Sequence, residues 1–124
     1  MKKKVSILMT CFNAEKSIRK SINSSLNQKF KNYELIIVDD GSNDNSKKII
    51  NSFKNNKIRK FFLTKNIGRT KALNFGLNKC RGKYIAILDA DDISSRDRIS
   101  TQYFFLEKNK NIDLVASFFK KKTL

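Results

Sequence analysis

A chain of 124 residues with 27 Lys and Arg against 11 Asp and Glu carries a formal net charge of +16, and its 40% apolar content suits one buried core rather than a disordered segment. No run approaches the roughly 18–20 apolar residues of a membrane span, and the apolar stretch after Lys2–Lys4 ends at Met9, too short for a signal-peptide core. The expectation is a cytoplasmic protein whose basic surface lends itself to the inner face of a membrane.

In chain order, Val5–Thr10 (VSILMT) reads as a buried strand, and Asn13 as the N-cap of a helix from Ala14 to Gln28 with Ile18, Ile22 and Leu26 at helical spacing. Glu34–Val38 is a second strand, Gly41 a turn, and 44–55 a helix showing Ile49, Ile50 and Phe53 on one face. Ile58–Leu63 follows as a third strand. Beyond the Asn66-Ile67-Gly68 turn, a helix sets Leu73, Gly76, Leu77 and Cys80 along one side and is stopped by Gly82. Tyr84–Leu88 makes a fourth strand, 96–107 a fourth helix with Ile99, Tyr103 and Leu106, and Asp113–Phe118 a fifth strand. This alternation predicts an α/β fold: a Rossmann-like parallel sheet with helices on both faces.

In such sheets ligands bind beyond the carboxyl ends of the strands. That edge is where the scarce acids gather, because Asp39 and Asp40 follow the second strand and Asp89, Asp91 and Asp92 follow the fourth. Like charges so close repel unless a cation or hydrogen bonds compensate. Asp89 and Asp91, two residues apart, offer hard oxygen ligands of the kind Mg2+ or Mn2+ shares with substrate phosphates, while Asp40 suits a ribose hydroxyl or base N–H. Asp39 and Asp92 read equally well as turn or cap residues. Cys11 and Cys80 lack metal-ligand spacing and read as reduced structural thiols. The lysines are scattered, with no Arg-rich stripe or aromatic RNA-binding signature, so specific nucleic-acid binding is not expected.

Four blocks in order and register, VSILMTCFNAE, YELIIVDDGSNDNS, NIGRTKALNFGLNKCRGKYIAILDADD and the later Asp97-Arg98, resemble the family 2 glycosyltransferases, inverting enzymes of the GT-A fold. The resemblance runs from about residue 4 to 117. It implies that the chain around Thr10 and Phe12 lines a nucleobase pocket, Asn13 takes part in nucleotide-sugar binding, Asp40 bonds the base, Asp89 lies near the ribose and metal, and Asp91 holds the metal under a sugar diphosphate. A UDP-sugar donor and a saccharide or lipid-linked acceptor follow. On this reading 1–119 is the nucleotide-sugar-binding half of an incomplete GT-A domain and 120–124 a basic tail.

Arg96 stands where many relatives of that family have Pro before the Asp-Arg pair. Family members continue for roughly as long again, and the resemblance places the acceptor site and catalytic base in that further half. With no histidine anywhere, and Glu107 and Asp113 as the late acids, the chain is expected to bind donor better than it transfers sugar. Competing readings are a basic module for nucleic acid or anionic membrane, and a Mg-dependent phosphatase of the haloacid dehalogenase type. The second puts its acid motif after the first strand rather than the fourth. An NAD-binding fold would need a Gly-rich turn where Cys11-Phe12-Asn13 stands.

Overall fold

The computed structural model describes residues 2–121. Four strands, β1 (Val5–Cys11), β2 (Tyr33–Asp39), β3 (Ile58–Phe62) and β4 (Tyr84–Ile87), alternate with four helices, α1 (Ile18–Leu26), α2 (Ser46–Ser52), α3 (Arg69–Leu77) and α4 (Arg98–Lys108). The sheet is parallel throughout, in the order β3-β2-β1-β4, with Thr10 opposite Val38 and Cys11 opposite Asp39. Because β1 and β2 lie at its centre, their side chains are buried on both faces, which is why they read as unbroken apolar runs.

Alternation of side chains divides the core. Val5, Ile7, Met9 and Cys11 of β1 pack with Tyr33, Leu35 and Ile37 of β2 against Ile18 and Ile22 of α1, Ile50 of α2, and Ile99 and Tyr103 of α4. On the other face Leu8, Ile36 and Val38 pack against Ala72 of α3. Helices therefore cover both faces, as the β, α alternation predicts. Ala72 and Gly76, rather than Leu77, seat α3 on the sheet, and a Cβ on Gly76 would come within 2.4 Å of Leu8 Cδ1.

The structure departs from expectation at four points. Helix α1 begins at Ile18, not Ala14, and its N-cap is Ser17. Asn13 is unavailable as a cap: it sits at φ 50° with its side chain accepting from the Asn43 N–H at 2.8 Å. Helix α3 ends at Leu77, so Gly82 does not stop it. Gly82 instead lets the chain approach β1, where a Cβ would lie 2.4 Å from Ser6 N. Asp113–Phe118 is not a strand. No strand of the sheet pairs with it, and Leu114, Phe118 and Phe119 face solvent. An extended segment without a partner edge has no ladder to hold it. The last residues of the basic tail, 122–124, lie outside the described residues.

Candidate functional site

At the carboxyl edge of the sheet a cleft of about 560 Å³ opens between the strand ends, lined among others by Thr10, Phe12, Asn13, Asp40, Arg69, Asp89 and Asp91. Three loops thus bring together every residue singled out above for donor or metal. The positions come from 1 strand-end turn each: β1 delivers Thr10 to Asn13, β2 delivers Asp40, and β4 delivers the acid turn. Phe12 is half exposed, so its ring is free to take an aromatic partner.

Two of the three loops are stitched to each other. The Asn13 N–H donates to Ser42 Oγ at 2.9 Å, the Ala14 N–H to Ser46 Oγ at 2.9 Å, and the Asn45 N–H to Glu15 Oε2 at 3.0 Å. Asp39, wholly buried, behaves as a turn residue: its Oδ2 accepts from the Ser42 N–H at 3.0 Å, and its Oδ1 has no partner among the described residues. Burial, with a further push from the Asp39 charge, raises the pKa of the Cys11 thiol. Cys11 is then neutral at physiological pH, and both cysteines are free.

Asp40 is buried too, at the wall of the cleft, and its carboxylate ties two of the cleft's loops together. Oδ1 accepts from the Ile67 N–H at 2.8 Å and Oδ2 from the Gly68 N–H at 3.0 Å, which fastens the Asn66-Ile67-Gly68 turn. Each oxygen keeps a second lone pair for a further donor. Gly41, at φ 73°, lets this happen, since a Cβ there would lie 2.5 Å from the Lys65 backbone carbon.

The acid turn has a different character. One oxygen from each of Asp89, Asp91 and Asp92 can lie within 4.8 Å of the others, and all three side chains are at least partly exposed. Asp89 has a cationic partner, Arg69, whose Nη2 lies 2.7 Å from its Oδ1. The pKa of Asp92 is raised from its ordinary value by partial desolvation and by the charges of Asp91 and Asp89. Repulsion within the group is therefore only partly relieved, and hard oxygen donors at this spacing suit a divalent cation such as Mg2+ or Mn2+.

Sequence reasoning missed what holds the turn. On α1 and at its two flanks, Ser17, Ser21, Ser24 and Gln28 form a polar stripe at helical spacing. Ser17 Oγ donates to the Ala90 carbonyl at 3.0 Å, and Ser21 Oγ lies 2.7 Å from the carbonyls of both Ala90 and Asp92. Ser24 Oγ accepts from the Ser94 N–H, and Gln28 accepts from the Ile99 N–H and donates to the Ser95 carbonyl. Their spacing of i, i+4, i+7 and i+11 puts them on one helical line, but the carbonyls and N–H groups they meet lie about 70 residues away in sequence. Glu107, one of the late acids, is engaged elsewhere: hydrogen bonds from Lys83 and Tyr84 hold its carboxyl down to about 2. Asp113 is exposed.

The sequence matches the glycosyl transferase family 2 pattern over residues 6–123. It is 42% identical over 107 residues to an uncharacterised glycosyltransferase of Haemophilus influenzae, covering 85% of this chain and 43% of that protein. To the putative glycosyltransferase EpsE of Bacillus subtilis it is 35% identical, covering 92% of this chain and 42% of the relative. The fold is similar to S. aureus TarS 1-349 solved in complex with UDP, with a TM-score of 0.81 at 26% identity over 86% of this chain and 33% of that one. The chain thus spans less than half the length of the curated relatives it matches. With the family pattern running through all three loops of the cleft, the chain belongs to glycosyl transferase family 2.

Proposed function

We propose that the chain is the donor-binding half of a glycosyltransferase, taking a nucleoside-diphosphate sugar into the carboxyl-edge cleft for transfer, with inversion, to an acceptor hydroxyl. The observation that carries this reading is the convergence of Thr10, Phe12, Asn13, Asp40, Asp89 and Asp91 on one cleft of nucleotide size. Phe12 and the Thr10 to Asn13 turn flank the base, and the free lone pairs of Asp40 accept from its N–H groups. Asp91, with Asp89, would hold Mg2+ or Mn2+, and such an ion would supply positive charge to a sugar diphosphate. Arg69, already within reach of Asp89, adds a cation beside the phosphates.

A UDP-sugar is the donor we favour, supported by the likeness to a protein crystallised with UDP and with UDP-GlcNAc. The acceptor, a saccharide or lipid-linked saccharide of the cell envelope, and the base that deprotonates it belong in this reading to the further length that relatives possess. Among the described residues no helix is long and apolar enough to cross a membrane. The site of action proposed is the cytoplasm, with peripheral contact to a membrane face.

Calorimetric titration of UDP and GDP, each with and without Mn2+, tests the reading. The expected result is Mn2+-dependent binding with UDP tighter than GDP, and absence of binding to both nucleotides in Mn2+ would refute it.

A further inference from the structure

A second concavity, of about 490 Å³, lies at the opposite end of the strands, lined by Lys2, Lys3, Glu34, Asn56, Lys57, Arg59 and Arg81. Lys2 and Lys3 precede β1, Lys57 precedes β3, and Arg81 precedes β4, so the basin gathers the amino ends of three strands around Glu34 of β2. Five cationic side chains here face one carboxylate. That carboxylate is already consumed: Ser6 Oγ donates to it at 2.6 Å, the Arg81 N–H at 2.7 Å and Arg59 Nη1 at 3.1 Å. Burial pushes Glu34 up, but these hydrogen bonds outweigh it and hold its pKa below 4.5.

The remaining cations are left to repel one another. Among the described residues no carboxylate pairs with Lys2, Lys3, Lys57 or the Arg81 guanidinium. Lys57 is anchored by donating to the Lys31 carbonyl and by lying 4.6 Å from the Tyr33 ring centroid. Burial and the charges of Lys3 and Lys31 lower its pKa. Gly82 fixes the approach of Arg81, because its backbone packs directly on Ser6. A crowd of cations, most of them without a carboxylate partner, around one well-compensated acid is the inverse of the acid turn, and it calls for an anion.

We propose that this basin binds a phosphate-bearing anion on the edge of the sheet remote from the donor cleft. A phosphate matches it better than a carboxylate, because the Arg81 guanidinium presents paired N–H groups and the lysines supply point charges to several oxygens at once. The basin is compact and no exposed aromatic ring lines it, so it lacks the stacking platform of a single-strand nucleic-acid groove. The phosphate comes either from a soluble phosphate compound or from a lipid headgroup. The site is independent of the donor reading.

The test uses the full chain in EDTA, which keeps metal from the acid turn, with inorganic pyrophosphate in one arm and phosphatidylglycerol against phosphatidylcholine vesicles in the other. Three proteins are compared: wild type, Arg81→Ala/Lys57→Ala, and Lys20→Ala/Lys48→Ala, which removes the same charge from exposed helix positions. The basin variant should bind about tenfold more weakly than wild type and the control within about twofold, with cooperative thermal unfolding retained in both. Saturable pyrophosphate binding identifies a soluble phosphate as the source, and loss confined to phosphatidylglycerol vesicles identifies the headgroup. Equal weakening in both variants, which marks only the diffuse field of a +16 chain, overturns the proposal, as does failure to bind either probe.

Discussion

The two ends of the same four strands treat charge in opposite ways. At the amino end Glu34 is buried and well compensated, with three donors on its carboxylate and a lowered pKa. At the carboxyl end Asp89, Asp91 and Asp92 are partly exposed and incomplete, with Arg69 as the one ion-pair partner among the described residues and Asp92 raised. The lesson is that burial alone does not sort these acids; how far their charge is compensated does. A buried acid held by three donors belongs to the fold, whereas neighbouring acids that repel one another suit the cation proposed for them.

The contrast can be broken first at Glu34. Glu34→Gln leaves Arg59 facing a neutral amide in a buried site, and should cost about 3 kcal/mol in urea unfolding. The folded pKa lies below the ordinary 4.5, so the stabilisation is complete above that pH and fades as pH falls through the lower folded value. Wild type should therefore lose more stability than the variant on acidification, and parallel acid limbs would show that Glu34 contributes nothing.

A sharper comparison comes from Ser21→Ala, which removes the hydroxyl from the carbonyls of Ala90 and Asp92. The expected loss is about 1–2 kcal/mol of stability and about tenfold in Mn2+ affinity, since the acid turn would relax. Unaltered Mn2+ affinity would detach α1 from the site. The smallest effect belongs to Arg69→Ala. Both partners of its ion pair are about half exposed, so stability should change by less than about 1 kcal/mol. A larger loss would make Asp89 a structural acid like Glu34 and erase the distinction.

Much of this was legible in the residues. The apolar runs of β1 and β2 announced central parallel strands, and the acids after β2 and β4 marked the cleft edge, because both follow from local pattern. The polar stripe Ser17, Ser21, Ser24 and Gln28 was not, because its value depends on segment 90–99 passing alongside, roughly 70 residues away in sequence. Asn13 misled for the same reason: an N-cap residue type was recruited by the neighbouring loop. Asp113–Phe118 had strand composition, and β propensity without a partner edge gave no strand. The basin around Arg81 was invisible because its cations come from three separated stretches of chain.

The central claim is that Asp91 couples a divalent cation to nucleotide binding. UDP affinity measured calorimetrically across Mn2+ concentrations, in wild type and Asp91→Ala, tests it most directly. Wild type should tighten by about a hundredfold as Mn2+ saturates while Asp91→Ala stays flat. Equal Mn2+ dependence in the two proteins, or UDP binding that ignores Mn2+ in both, would contradict the account.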